Sequence, residues 1–406
     1  MLSPLVGSDR YFDAKNEPIL FSHGSESSIF DQNNKEYTDF VLGLGPVILG
    51  HSDPEFISKI TSELKKGLSY PGFSEVHTQL ASVYENVYKS HKVVSIFKTS
   101  SEAVTAAIRC AMIETGQKKI IRCGFLGWHD TQLAKTPSWH EWPGSNKRIQ
   151  TRFKTGMRGI DDSEQVFNWL DGDLDYLESL LSIHGSQTAA FAIDVYQLAF
   201  IPLETFSKAL KLASEYGIKI IIDETKTAGR GSAGGYIDTS KFAADYIVLG
   251  KAIGNGLPLS ILMGQPEQLQ IYREARIGGT HTKETLSASA GIIVANIMQE
   301  RNGYARIKDA CQKVVDTFNK AIQLSGTNEY LKAVPLLDNT LFDLKFSDLM
   351  INNYTSRELL KKEFITNGVF VLQGHNSFIC LAHESIDFEL LESKLHSALS
   401  SWKSTL

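Results

Sequence analysis

The sequence predicts a largely parallel α/β domain in the middle of the chain and a smaller α+β domain built from its two ends. Two observations carry this reading. In the middle, short runs of continuous apolar residues alternate with segments of helical period, the pattern of a sheet covered on both faces. Toward the ends, strand and helix signals mix without that alternation. A third observation simplifies the search: no internal repeat and no low-complexity segment is present.

Taken in order, residues up to about Gly72 hold a strand-like stretch around Tyr37 to Leu42 and a helix after His51. The central pattern opens at Val93 to Phe97, a short apolar run followed by Thr99-Ser100-Ser101-Glu102. Val104, Ala107, Ile108 and Ala111 then recur at helical spacing until Gly116, which reads as strand, turn and helix. The unit returns at Lys119 to Cys123, and again at Ala189 to Val195 followed by Phe206, Ala209, Leu210 and Ala213. Lys219 to Asp223 and Tyr246 to Leu249 are two further strands. Beyond about Arg306, strand candidates Leu341 to Phe346, Val369 to Leu372 and Phe378 to Leu381 mix with helices at Ser356 to Thr366 and Phe388 to Ser400. The expected domains are therefore 73–305 for the large central one, with 1–72 and 306–406 forming the small one.

Composition narrows the function. Of the 406 residues, 42% are apolar and 21% charged, ample for a buried core. A net charge of -5 offers no broad positive field, which argues against nucleic acid and anionic membranes and leaves a small molecule as the default partner. Cys110, Cys123, Cys311 and Cys380 lie too far apart for a zinc site or a dithiol motif and read as reduced core thiols; no metal site is expected. No stretch approaches the roughly 20 apolar residues of a membrane span. The opening MLSPLVGSDRYFD is too polar for a signal peptide, so the expected compartment is the cytoplasm.

The most informative segment is Ile220-Ile221-Ile222-Asp223-Glu224-Thr225, an apolar strand ending in an acid. A second strand, Tyr246 to Leu249, ends in Gly250-Lys251. Side chains at the carboxyl ends of strands in an open α/β sheet face the ligand crevice, so Asp223 and Lys251 are placed to meet across a cofactor. Pyridoxal 5′-phosphate needs such a pair: an amine to form a Schiff base, and a carboxylate to keep the pyridine nitrogen protonated. The plainer alternative makes Asp223 a cap and Lys251 a solvated lysine. Ala252-Ile253-Gly254-Asn255-Gly256-Leu257-Pro258, after the lysine, has little bulk and lets backbone approach a flat ligand. Ser100 and Ser101 lie at a helix N-terminus, where free N–H groups favour a phosphate. Capping of that helix by Ser101 fits the same pattern.

These residues resemble a known family. Thr99-Ser100-Ser101-Glu102-Ala103, Gly127-Trp128-His129-Asp130, Asp223-Glu224-Thr225-Lys226-Thr227, Leu249-Gly250-Lys251-Ala252-Ile253-Gly254-Asn255-Gly256-Leu257-Pro258 and Gly279-Thr280 are similar to class III aminotransferases. The likeness is strongest to the glutamate-1-semialdehyde aminomutase-like branch, which Leu44-Gly45-Pro46-Val47-Ile48-Leu49-Gly50-His51 also resembles. It runs over nearly the whole chain in the right order. It implies fold type I of the pyridoxal-phosphate enzymes and a homodimer with shared active sites. Lys251 is then the Schiff-base lysine and Asp223 the partner of the pyridine nitrogen. Ser100 and Ser101 bind the phosphate, Phe125 and Thr225 cover the two ring faces, and Thr280 reaches the phosphate of the neighbouring subunit.

The chain departs from the family pattern in places. Leu126 stands where a His often follows the stacking aromatic, Lys98 replaces an Asn, and Asp194-Val195 stands where the family has Glu-Pro. Asp194 and Gln197 remain candidates near substrate and cofactor, with Trp128 and His129 as substrate contacts. The irregular stretch from Trp128 to about Trp169, with Trp139, His140, Trp142 and Pro143, reads either as a lining of the entrance or as aromatics packed beneath a loop. Arg273, Arg276, His281, His375 and Asn376 are further candidates. Transamination demands least beyond the lysine and aspartate, while the same apparatus supports an aminomutase or a racemase. A pyridoxal-phosphate-fold protein that binds without turnover is the third reading.

Overall fold

The computed structural model describes residues 11, 18–129, 165–169, 171–240, 242–371 and 376–406. The chain divides into two compact units: Met1–Gly45, Leu49–Asp53 and Ala305–Leu406 form one, and Pro46–Ile48 with Pro54–Tyr304 the other. The first begins with three short antiparallel strands, β1 (Phe21–Ser25), β2 (Ser28–Asp31) and β3 (Glu36–Asp39).

The larger unit starts with helices α1 (Pro54–Leu64) and α2 (Glu75–Val87), then strand β4 (Lys92–Phe97), helix α3 (Ser100–Thr115) and strands β5 (Lys119–Cys123) and β6 (Val166–Asn168). Helix α4 (Leu174–His184) leads to β7 (Thr188–Asp194), α5 (Leu203–Glu215) to β8 (Lys219–Asp223), and α6 (Gly235–Ser240) to β9 (Tyr246–Leu249). Strand β10 (Ser260–Gly264), α7 (Leu269–Glu274) and α8 (Thr285–Glu300) complete it. Seven strands form one sheet in the order β4-β10-β9-β8-β7-β5-β6. All its pairings are parallel except those of β10, which runs antiparallel to both β4 and β9. Every residue of β7, β9 and β10 is buried, which is why these strands read as continuous rather than alternating apolar runs.

Helix α3 shows how local sequence sets up the site. Thr99 is its N-cap and Glu102 completes a capping box, its Oε2 accepting from the Thr99 N–H at 2.9 Å. Gly116, at φ 70°, ends the helix in the left-handed conformation that glycine tolerates. Its buried face is rich in alanine, Ala103, Ala106, Ala107 and Ala111 among them, so the helix lies close on the sheet. The cap anticipated at Ser101 is thus corrected to Thr99, and Ser100 and Ser101 are the first two helical residues.

Residues 54–72, expected with the small domain, belong instead to the larger unit. Helix α1 packs on α8, and Thr285 donates through its N–H to the Leu68 carbonyl and through Oγ1 to the Gly67 carbonyl. These contacts join distant parts of the chain, so local pattern carries no trace of them.

The other unit resumes with α9 (Gly303–Ser325), the hairpin β11 (Leu331–Leu336) and β12 (Leu341–Phe346), then α10 (Asp348–Ile351) and α11 (Tyr354–Thr366). Strand β13 (Val369–Phe370) pairs parallel with β3, tying the two chain ends into one sheet. Strand β14 (Ser377–Phe378) pairs with β12, and α12 (Phe388–Lys403) closes the fold. Edge-to-face aromatics fill this core, with Phe40 5.4 Å from Phe342 and 5.6 Å from Phe318. All four cysteines are buried and none is in a disulfide. Among the described residues no helix is long and apolar enough to cross a membrane.

Candidate active site

Three neighbouring parallel strands deliver their carboxyl ends to one cavity. Asp194 at the end of β7 stands in register with Asp223 at the end of β8, and Asp223 in register with Val248 of β9, three residues before Lys251. The cavity has a volume of about 290 Å³, and its walls include Ser100, Ser101, Phe125, Thr225, Lys226 and Lys251 beside the two aspartates. The Gly256–Leu259 turn lines it as well. The structure thus brings together Lys251, Asp223, Ser100, Ser101, Phe125, Thr225 and Asp194 of the sequence-predicted residues.

The local backbone explains why the lysine reaches the cavity. Lys251 has φ 50°, a left-handed conformation unusual for a residue with a side chain, and it begins a tight turn through Gly254. Asn255, also left-handed, accepts from the Ile48 N–H at 2.9 Å and so pins that turn. A side chain at Gly250 would displace the Ser100 Oγ, which occupies the place its Cβ would take. The start of α3 and the end of β9 therefore come into direct contact at one side of the cavity.

The electrostatics are those of a buried polar site. Asp223 accepts from both the backbone N–H and the hydroxyl of Thr225. Burial, reinforced by neighbouring Asp194, pushes its carboxyl well above the usual carboxylate range. Burial also lowers the Lys251 amine from 10.5 to about 7, and the Lys226 cation adds to that fall. Lys226 Nζ lies 2.6 Å from Asp194 Oδ2, and both side chains are buried. Glu224, next in sequence, points away and accepts from the Ile237 N–H and the Thr227 hydroxyl, holding the following loop.

Other candidates lie elsewhere. The Gln197 side chain packs over Gly124 and is not part of the cavity wall. Trp128 is 70% exposed, and His129 Nδ1 is 2.9 Å from the Thr105 hydroxyl; neither lines the cavity. Thr280 and His281 sit in an exposed turn, Arg273 and Arg276 are exposed, and Asn376 is fully buried in the other unit. Most of the aromatic segment, including Trp139, His140, Trp142 and Pro143, lies outside the described residues, as does His375. Lys226 was missed by sequence reasoning. A lysine three positions past a strand end reads as a solvated turn, and only its place beside Asp194 of the adjacent strand marks it.

The cavity fits pyridoxal phosphate. The side-chain-free approach of Gly250 to Ser100 leaves backbone and hydroxyl groups at the helix start for a phosphate. The buried Asp223 carboxyl calls for a cationic partner, which a protonated pyridine nitrogen supplies. A nucleophilic lysine stands in the same cavity.

Comparisons with known proteins agree with this picture. The family model described as aminotransferase class-III matches residues 11–386. A glutamate-1-semialdehyde 2,1-aminomutase of Thermoplasma volcanium is 26% identical over 96% of this chain and 94% of its own. A 2'-deamino-2'-hydroxyneamine transaminase of Streptomyces kanamyceticus is also 26% identical, over 70% of this chain and 68% of its own. Among solved structures, an omega-transaminase from Sphaerobacter thermophilus superposes with a TM-score of 0.83 at 20% identity, covering 97% of this chain and 93% of that one.

Proposed function

The chain belongs to the class III aminotransferases, a family of pyridoxal-phosphate enzymes of fold type I, and from that premise we propose that it moves an amino group between an amino donor and a small oxo or aldehyde acceptor through Lys251. The observation that carries the proposal is the convergence of Lys251 and Asp223 on one cavity against the N-terminal turn of α3. When bound, pyridoxal phosphate supplies an aldehyde that takes up an amine and a ring that accepts electrons from the adjoining carbon.

The protein's own residues do the rest. The Lys251 amine, lowered by burial to about 7, has its uncharged form well populated near neutrality; it would be the nucleophile that anchors the cofactor and, when free, the base that takes a proton from the carbon bearing the substrate nitrogen. Asp223 keeps the ring nitrogen protonated, with Thr225 orienting its carboxylate by two hydrogen bonds. Ser100 and Ser101, at the cavity wall, would hold the phosphate, and Phe125 and Thr225, in the same wall, would bound the ring. Asp194 contributes through Lys226, whose charge it balances. The enzyme acts in the cytoplasm as a homodimer in which Thr280 serves the partner's phosphate.

The test follows the nitrogen. Given an amino donor alone, the protein is expected to stop after half a turnover, with pyridoxamine phosphate formed in stoichiometric amount and the aldehyde absorbance lost; the acceptor alone then restores it. The aminomutase relative makes an isomerase the second reading. A donor inverted or shifted without stoichiometric pyridoxamine phosphate would replace the first reading with that one. Cofactor binding without chemistry on any amine would leave a binding protein.

A further inference from the structure

Glu284 joins three parts of the larger unit. Its carboxylate caps α8, accepting from the Leu286 and Ser287 N–H groups, and its backbone bridges Ser69 in an isolated antiparallel pairing. The same carboxylate meets Lys98, whose Nζ is 2.6 Å from Oε2, with only 19% of the lysine side chain and 17% of the glutamate exposed. Lys98 is held from its other end as well: it directly precedes the Thr99 cap of α3, and its N–H donates to Glu102 Oε2 at 3.1 Å. The ion pair therefore runs from the turn that opens α3, where Ser100 and Ser101 stand, to the residue that ends the Thr280–Lys283 turn. That turn is otherwise closed mainly on itself, by the Gly279 N–H to Thr282 Oγ1 at 2.8 Å and the Glu284 N–H to the His281 carbonyl at 3.1 Å. Lys283 Nζ reaches the Pro71 carbonyl at 3.0 Å, but at the exposed surface, whereas the Lys98–Glu284 pair lies mostly out of water and is screened less.

We propose that Lys98 and Glu284 are positioning residues for cofactor binding: their ion pair is a strut that fixes the Thr280 turn relative to the first turn of α3, so that each chain presents its own phosphate turn and its contact for the partner's phosphate as one rigid piece. The proposal rests on the reading of Ser100, Ser101 and Thr280 as phosphate contacts and deepens it. Cutting the strut at either end leaves the other charge mostly buried without its partner, and turning outward to water relieves that at the expense of the turn's position. Lys98 also stands in the cavity wall, which gives it a rival role as a cation that attracts the phosphate directly. The two roles differ in sign when Glu284 loses its charge. A lone cation binds phosphate more tightly once its counter-ion is gone, whereas a severed strut lets Thr280 drift and weakens binding.

The experiment compares pyridoxal phosphate with pyridoxal, which has the same aldehyde and ring but no phosphate, by absorbance titration of the full-length chain freed of cofactor. Lys98→Met and Glu284→Gln are each expected to weaken pyridoxal phosphate about tenfold, the size of one lost hydrogen bond to a charged group, and to leave pyridoxal unchanged. Glutamine keeps an oxygen for the α8 N–H groups, and Lys98→Arg keeps the pair and is expected to bind as the wild type does. Thr280→Ala is expected to show the same split between the two ligands, and adding Lys98→Met to it to cause no further loss, since the strut acts through Thr280. If Lys98→Met fails to fold, Glu284→Gln combined with Thr280→Ala makes the same comparison. Tighter binding of pyridoxal phosphate by Glu284→Gln would make Lys98 a direct phosphate contact and overturn the proposal. An equal loss for pyridoxal, or a loss that adds to that of Thr280→Ala, would mark general loosening and overturn it too. Normal binding in the strut variants beside a weakened Thr280→Ala would sink the strut alone, whereas normal binding in Thr280→Ala would sink the reading of Thr280 and the strut with it.

Discussion

Asp223 shows how one residue ties sequence to chemistry. It ends a strand of isoleucines, so the sheet that buries Ile221 and Ile222 carries the carboxyl into the protein with them. Burial raises its pKa from 3.8 to about 7. A raised folded-state value means that its contribution to stability is fully present below 3.8 and is lost as pH rises through about 7. Asp223→Asn cannot ionise, so the cofactor-free variant is expected to gain thermal stability over the wild type as pH rises across that window. The same variant should retain pyridoxal phosphate yet turn over roughly a hundredfold or more slowly, because an amide holds no proton on the ring by charge. Thermal melts from pH 4 to 8, with single-turnover rates at neutral pH, check both halves. A variant less stable than the wild type at pH 8, or equally fast, would remove Asp223 from this role.

At the scale of elements, the strands that carry the site were legible and some of their company was not. Lys119 to Cys123, Lys219 to Asp223 and Tyr246 to Leu249 match β5, β8 and β9 residue for residue, since burial on both faces puts apolar residues at consecutive positions, Ile120-Ile121 and Ile220-Ile221-Ile222 among them. Strand β10 escaped because no helix separates it from β9. It follows the turn after Lys251 directly and runs antiparallel, outside the strand–helix alternation on which the reading relied. The pairing of Lys226 with Asp194 escaped for a related reason, as register between β7 and β8 is a long-range fact. The junction of α3 with the end of β9 gives the test at this scale. Gly250 has φ -168°, extended backbone open to any residue, so a substitution there acts only through space. Gly250→Ala drives a methyl into the Ser100 Oγ and is expected to cost about 1–3 kcal/mol of folding stability and to weaken cofactor binding. Adding Ser100→Ala removes the colliding oxygen and should recover most of the lost thermal stability, since the other neighbours stand at 3.4 and 3.6 Å. A binding titration and a melt for each variant decide it, and no loss in the single variant would mean that the two segments do not press together.

For the whole molecule, the outstanding residue is Thr280. It lies in an exposed turn, Thr280–Lys283, and forms no part of its own chain's cavity wall, although the family resemblance gives it a phosphate to bind. Both statements hold if the phosphate belongs to a second copy of the chain in a symmetric dimer. Each site of such a dimer takes Lys251 from one chain and Thr280 from the other. Lys251→Ala dimers are then inactive and Thr280→Ala dimers weakened, while a mixed dimer places both defects in one site and leaves the other with wild-type Lys251 and Thr280. Mixing the two variants is therefore expected to restore roughly half the activity of the unaltered dimer, provided the sites are independent. If Thr280 served its own chain, every site in the mixed dimer would carry one defect, and activity could not exceed that of a Thr280→Ala site. Purified heterodimers carrying two different affinity tags separate these outcomes. Activity at or below half that of the Thr280→Ala homodimer would place the contact within one chain.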